Sequence, residues 1–83
     1  MISQKSVVKK LRLLGYAFKG RCKSDRNEKW RKAGSTHFVF LPRQDWLAEL
    51  WVRTTLRQCG ASQEEIDALV AGQADKAPPP RRD

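Results

Sequence analysis

The spacing of apolar residues changes twice along the chain, and this change limits the folds available to it. Residues 3–14 place Val7, Leu11 and Leu14 at helical spacing. Residues 16–41 then contain short runs in which apolar and polar side chains alternate, as strands require. Helical spacing returns beyond this stretch. The order of periods therefore predicts a helix, a group of strands and then further helices.

The first helix and the strands have recognisable ends. Ser3 or Ser6 can cap the helix by accepting a backbone N–H, and Gly15 can end it in a left-handed conformation. Turn-forming residues then separate three runs, of which the middle one could be a strand, at 16–22, 28–32 and 36–41. The number of strands is therefore two or three. Pro42 ends the last run because proline cannot donate to a strand ladder.

Two helices are predicted after the strands. The first runs from an Asp45 N-cap to Gln58 and carries an apolar stripe of Trp46, Leu47, Leu50, Trp51 and Leu56. Gly60 ends it. The residues Ser62 and Glu65 form a capping box that opens a short second helix, in which Ile66, Leu69 and Val70 face the core.

The predicted elements fit one small domain. The chain has 83 residues, which is enough for a single thin core. We assign residues 1–72 to this domain and residues 73–83, which carry three consecutive prolines, to a disordered tail. Helices at both ends of the strand region favour an α+β two-layer sandwich of the order α-β-β-(β)-α-α, with one sheet face left to solvent or to a ligand.

The charge of the chain favours an anionic partner. Seventeen Lys and Arg residues face nine acidic residues, for a net charge of +8. The basic residues concentrate in the strand region, where the candidate phosphate contacts are Lys19, Arg21, Lys23, Arg26, Lys29, Arg31 and Lys32. The alternative interpretation is a solvated face that keeps the protein soluble.

Other classes of protein are disfavoured by the sequence. No run reaches the roughly 20 apolar residues of a membrane span, and the N-terminus lacks the apolar segment of a signal peptide, so we expect a cytoplasmic protein. Cys22 and Cys59 lack a CxxC pattern, and with one histidine they offer no conventional zinc site. No metal or other cofactor is predicted.

His37 and Trp30 each allow two interpretations. His37 is the one residue suited to proton transfer near neutral pH, and it could remove a proton from a ribose 2′-OH while nearby cations stabilise the phosphate charge. It could equally be an exposed strand residue without a role. Trp30 could stack on a base or, more in keeping with the pattern, anchor the core.

Several segments resemble the HicA toxins of bacterial toxin–antitoxin modules. The resemblance covers about residues 5–71, and its carriers are the segments Leu-Gly-Tyr at 14–16, Gly-Ser-Thr-His at 34–37, Val-Phe-Leu-Pro at 39–42 and Gln-Cys-Gly-Ala at 58–61. It implies a double-stranded-RNA-binding-domain-like fold, α-β-β-β-α. It also implies a metal-independent endoribonuclease (an mRNA interferase) that is restrained by a HicB antitoxin.

Two alignments with that family are open. The Gly-Ser-x-His match makes His37 the catalytic base. Counting back from Pro42 instead places the family's histidine within residues 24–27, which contain none. The first alignment predicts an RNA-cleaving toxin. The second predicts a non-catalytic adaptor or inhibitor, encoded by a phage or mobile element, that binds nucleic acid or a protein. A DNA-binding role for the last two helices is weaker because the second is acidic.

Overall fold

The computed structural model describes residues 1–24 and 27–73. Apart from Gln73, the expected tail lies outside the described residues. Within them the chain forms three helices and two antiparallel sheets, which confirms the α+β class. In chain order the elements are β1 (Ile2–Ser3), α1 (Gln4–Leu13), β2 (Tyr16–Arg21), β3 (Glu28–Lys32), β4 (Phe38–Leu41), β5 (Trp46–Leu47), α2 (Glu49–Gln58) and α3 (Gln63–Gln73).

Helix α1 forms as its sequence predicts. The Ser3 side chain accepts a hydrogen bond from the Ser6 backbone N–H at 3.2 Å, which satisfies one of the free donors of the first turn. Val7 and Leu11 are fully buried on one face. Gly15 follows the helix with φ of 93°, a conformation that glycine adopts without steric cost.

Three strands form the larger sheet in the order β2-β3-β4, so the third strand is present. Both pairings are antiparallel, with Trp30 lying between Phe18 and Val39. A bulge interrupts β2 between Phe18 and Gly20, so that Gly20 leaves the face that simple alternation from Tyr16 predicts.

One face of this sheet carries the core. Trp30, Val39 and Leu41 point towards the helices and are between 0% and 6% exposed. They form a single apolar cluster with residues of the helices and of the smaller sheet: Ile2, Val7, Leu11, Tyr16, Leu47, Val52, Leu56, Cys59, Ala61 and Ile66. Because the buried helical residues join this one cluster, the sheet has a helix-covered face and an open face.

The start of α2 differs from the sequence prediction. Helix α2 begins at Glu49 after Ala48, which makes no side-chain capping bond, so Asp45 is not the N-cap. Residues 46–47 instead form β5 and pair with β1, which buries Ile2 against Leu47. The predicted apolar stripe is therefore wrong at its first turns, and Leu50 is 77% exposed.

Helix α3 begins at the predicted capping box. The Glu65 backbone N–H donates to Ser62 Oγ at 3.1 Å, and the Ser62 backbone N–H donates to Glu65 Oε2 at 3.2 Å. Glu65 also pairs with Lys10 at 3.3 Å, so the same side chain links α3 to α1. Ile66 is buried as expected.

Candidate nucleic-acid interface and the His37 site

The open face of the sheet presents aromatic and basic side chains together. Residues paired across antiparallel strands point to the same side, so the pairs Arg31–Phe38 and Lys29–Phe40 share a face. The pair Trp30–Val39 lies between them and points to the core. Phe38 and Phe40 are 37% and 50% exposed. We call Lys29, Arg31, Phe38 and Phe40 the open-face cluster.

The cations of the open-face cluster lie over an aromatic ring. Lys29 Nζ is 4.1 Å from the centroid of the Phe38 ring, and the Arg31 guanidinium carbon is 5.8 Å from it. Arg31 Nε also donates to the Ser35 carbonyl oxygen at 2.7 Å. Neither cation forms a salt bridge with a carboxylate of the described chain. Their charge is therefore available to an outside anion.

This arrangement has the components of a single-strand binding surface. Exposed rings on an open sheet can stack on unpaired bases, and unpaired cations beside the rings can contact the phosphates between those bases. The rings supply sequence-tolerant contact, because every base has a π-face. The cations supply attraction that weakens with salt.

The structure divides the other predicted phosphate contacts among different places. Lys19 is exposed at the bulge of β2, and Lys23 is exposed in the turn that follows. Arg21 pairs in register with Glu28, at the far end of the sheet from His37. Lys32 pairs with Tyr16, on the opposite face from Arg31. Arg26 lies outside the described residues.

His37 lies beside the sheet rather than on its open face. It directly precedes Phe38, so alternation turns its side chain towards the helix-covered side. Its Nδ1 lies 2.5 Å from Tyr16 Oη, and the two rings meet edge to face with centroids 5.8 Å apart. Its backbone N–H donates to Ser35 Oγ at 3.1 Å. The imidazole is thereby oriented while the residue stays exposed.

Tyr16 connects His37 to a buried thiol. Burial, together with a hydrogen bond to Cys59, raises the pKa of Tyr16 to about 12. Burial also raises the pKa of the Cys59 thiol, against the opposing effects of the Tyr16 hydroxyl and the Lys32 charge. Both groups therefore stay protonated near neutral pH, and each can take part in hydrogen bonds with a neighbour.

Several residues of these two sites were missed from the sequence. Alternation along residues 36–41 puts Phe38 and Phe40 on one strand face, but by itself it does not connect them to the basic residues of the neighbouring strand. The available signal was that the facing strand reads Lys-Trp-Arg at 29–31, with cations on both sides of a core residue. Tyr16 and Cys59 had no such signal, because their meeting depends on how α2 packs against the sheet.

Trp30 is a core residue, which settles its two interpretations. It is 2% exposed, and its indole N–H donates to Glu28 Oε1 at 3.2 Å. The Arg12 guanidinium carbon lies 5.6 Å from its ring centroid, and Phe18 meets it edge to face at 5.8 Å. With these neighbours around it, the indole has almost no surface left for a base.

Within residues 1–24 and 27–73, no cluster of three His, Cys, Asp or Glu side chains is arranged to hold a metal ion. None of the helices in this part of the chain is long and apolar enough to cross a membrane. No protein-family model matches the chain, and no curated protein or solved structure gives a match.

Proposed function

We propose that the protein binds single-stranded RNA on the open face of its three-stranded sheet. The observation that carries this proposal is the open-face cluster, in which two exposed phenyl rings lie beside cations that form no salt bridge with the carboxylates of the described chain. A net charge of +8 adds long-range attraction for a polyanion. A surface of solubilising charge alone would not require two exposed rings beside the cations.

The order of elements supports a more specific version of this proposal. Helix α1, strands β2, β3 and β4, and helix α2 occur in the α-β-β-β-α order that the HicA resemblance implies, with the two-residue strand β5 inserted before α2. On this basis we propose a double-stranded-RNA-binding-domain-like fold and the role of a HicA-like toxin. Its protein partner would then be a HicB-like antitoxin.

Replacement of the open-face rings tests the RNA proposal. Each base–aromatic stack is worth about 1–3 kcal/mol, so Phe38→Ala and Phe40→Ala should each weaken binding of a single-stranded RNA by roughly 5- to 150-fold. The matched control is Phe18→Ala, since Phe18 is 47% exposed but lies beside Trp30 on the other face. Fluorescence anisotropy with a labelled oligonucleotide measures all three. Equal losses in the three variants, or none, would contradict the proposal.

Salt dependence separates RNA from a protein partner. Affinity for single-stranded RNA should fall with salt by a slope of about −0.7 for each phosphate contact on a logarithmic plot. The Lys29→Gln and Arg31→Gln variants should each make this slope shallower by about 0.7. An affinity that does not depend on salt would instead favour the alternative function, an adaptor or inhibitor that binds a protein.

A second candidate function is RNA cleavage at His37, and the Tyr16 contact favours it. If Nδ1–H donates to Tyr16 Oη and the Tyr16 hydroxyl donates to Cys59, the lone pair of Nε2 is left for solvent or substrate. Nε2 would then take the proton of a ribose 2′-OH. The resulting alkoxide attacks the adjacent phosphorus, the bond to the 5′-oxygen breaks, and water protonates that oxygen. Lys32 pairs with Tyr16 in the ladder and donates its backbone N–H to the His37 carbonyl, and its side-chain charge would offset that of the phosphate.

Cleavage and binding are tested together in His37 variants. We expect wild type to arrest growth and cut messages when expressed in bacteria, and His37→Ala to do neither while still binding RNA. Tyr16→Phe removes the hydroxyl that orients the ring, so it should slow cleavage, change its pH profile and leave RNA affinity unaltered. Intact messages with wild type would contradict the cleavage proposal and leave the binding proposal standing.

A further inference from the structure

The two edges of the three-stranded sheet differ in their exposure to further pairing. The edge strand β2 carries a bulge, a Gly20 with φ of 129° and the charged residues Lys19 and Arg21. Bulges and edge charges are the features by which natural sheets prevent pairing with other strands. The opposite edge strand, β4, consists of Phe-Val-Phe-Leu and has neither a bulge nor a charge. Only the β4 edge lacks features that would prevent another strand from pairing with it.

The backbone of β4 has unpaired groups on this edge. The Lys32 N–H donates to the His37 carbonyl at 3.2 Å, so these two residues form a hydrogen-bonded pair. Hydrogen-bonded and non-hydrogen-bonded pairs alternate along an antiparallel ladder. Counting from His37, Val39 and Leu41 are therefore in hydrogen-bonded pairs, and their backbone N–H and C=O groups point to β3. Phe38 and Phe40 then direct theirs away from it. Among the described residues, no strand other than β3 pairs with β4.

We propose that β4 pairs with β4 of a second copy of this chain, antiparallel and centred on Val39. In this register Phe38 lies opposite Phe40 of the other copy, and each such pair exchanges both of its backbone hydrogen bonds. The sequence Phe-Val-Phe is symmetrical about Val39, so the strand is complementary to itself. The two three-stranded sheets become one continuous sheet.

The distribution of charge allows this pairing. The nearest sheet cations, Lys29 and Arg31, lie on β3, one strand away from the contact. With strands about 4.8 Å apart, the two β3 strands of the dimer lie about 14 Å apart, which exceeds the Debye length of about 8 Å at physiological salt. Repulsion between two copies of net charge +8 is therefore largely screened at that salt and returns when salt is removed.

The dimer would place two open-face clusters side by side. Phe38 and Phe40 point out of the sheet plane, so pairing at the edge leaves the exposed rings available. A longer continuous platform for a single strand results if the RNA proposal holds. The pairing itself does not rest on that proposal, because it uses backbone groups alone.

Backbone N-methylation tests the edge without changing any side chain. A chain of 83 residues can be assembled by chemical ligation, with N-methyl-phenylalanine at position 40. The methyl group removes the outward N–H and blocks a neighbouring strand. The matched control carries N-methyl-phenylalanine at position 18. Trp30, the partner of Phe18, directs its backbone hydrogen bonds to β4, so the backbone N–H and C=O of Phe18 point to the free edge of β2.

Sedimentation equilibrium over a range of protein concentrations gives the result. The unmodified chain should show a monomer–dimer equilibrium, and methylation at Phe40 should raise the dissociation constant at least tenfold. Methylation at Phe18 should leave it unchanged, with circular dichroism confirming that both chains fold. Dimerisation of the unmodified chain should also strengthen with salt, opposite to RNA binding.

Three outcomes would overturn the proposal. The unmodified chain could stay monomeric up to about millimolar concentration, a range in which even weak pairs associate. The Phe40 and Phe18 modifications could change association equally, which would place the contact on another surface. A monomeric chain that instead captures an added strand-forming peptide through β4 would show a foreign strand, and not a second copy, as the occupant.

Discussion

A single tyrosine belongs to both the core and the His37 site. Tyr16 is 4% exposed and packs in the apolar cluster, yet its hydroxyl lies against His37 Nδ1 and interacts with Cys59. The ring contributes apolar area, and the hydroxyl finds partners that burial would otherwise deny it. A phenylalanine here would keep the packing and lose the orientation of the imidazole.

The raised pKa of Tyr16 can be measured directly, because the chain contains one tyrosine. The phenolate absorbance of the folded protein should titrate near 12, well above the usual value of about 10. Between these values the folded state keeps a proton that the unfolded state releases. Stability should therefore be unaffected below about pH 10 and fall as the pH rises through this window.

The Tyr16→Phe variant is the control for this titration. It lacks the phenol, so the part of the alkaline loss of stability that depends on Tyr16 should disappear in chemical unfolding measured at several pH values. A midpoint near the ordinary value in the folded wild type would show that the hydroxyl is in contact with water.

At the scale of the element, the segment before α2 shows how pairing overrides local pattern. Trp46 and Leu47 have helical spacing with Leu50, but they form a short strand with Ile2 and Ser3. The Gln4 N–H also donates to the Asp45 carbonyl at 2.9 Å, which ties the two segments together. The pairing buries Leu47, and the helix begins only two residues later.

Two leucines three positions apart distinguish a continuous helix from a short strand followed by a helix. Leu47 is 2% exposed and Leu50 is 77% exposed. Leu47→Ala should therefore lower the free energy of unfolding by about 2–5 kcal/mol, as large-to-small core changes do. Leu50→Ala should stay within about 0.5 kcal/mol of wild type. Urea denaturation measures both, and a larger loss at Leu50 would restore the continuous helical stripe.

The elements with strong local signals were predictable, and the candidate site was predictable in part. The cap of α1 at Ser3, the end of that helix at Gly15 and the Ser62–Glu65 capping box follow from side chains next to each other in sequence. Lys29 and Arg31 were identified through their charge. The aromatic residues of the same cluster, Phe38 and Phe40, could be assigned to it only from the pairing register of β3 and β4, which alternation alone does not fix.

At the scale of the whole molecule, the salt bridges of the described residues lie among the helices. The salt bridges within the described chain join Lys10 to Glu65, and Arg53 to Glu49 and Asp67, all on helices. The sheet cations form no salt bridge with any carboxylate in residues 1–24 and 27–73. Within the described part of residues 16–41, six cations accompany a single acidic residue, Glu28, so the strand region carries excess positive charge that repels itself and attracts anions.

Salt should therefore stabilise the unliganded protein. Screening of repulsion between the sheet cations should raise the melting temperature, by about 4–8 °C for each kcal/mol of repulsion that is removed in a domain of this size. Differential scanning fluorimetry at low and high salt measures this rise. The Lys29→Gln, Arg31→Gln double variant should have a higher melting temperature than wild type at low salt, and its melting temperature should rise less when salt is added. An unchanged response would mean that these two charges do not contribute to the repulsion.

The sequence by itself determined the class of fold, the caps of α1 and α3 and the basic character of the strand region, because these depend on spacing, local hydrogen bonding and net charge. Tertiary structure decided which strand face stays open, that residues 46–47 pair with residues 2–3, and that Tyr16 lies between His37 and Cys59. These features join residues far apart in the chain. Their energy comes from burial and pairing that exist only once the layers have packed.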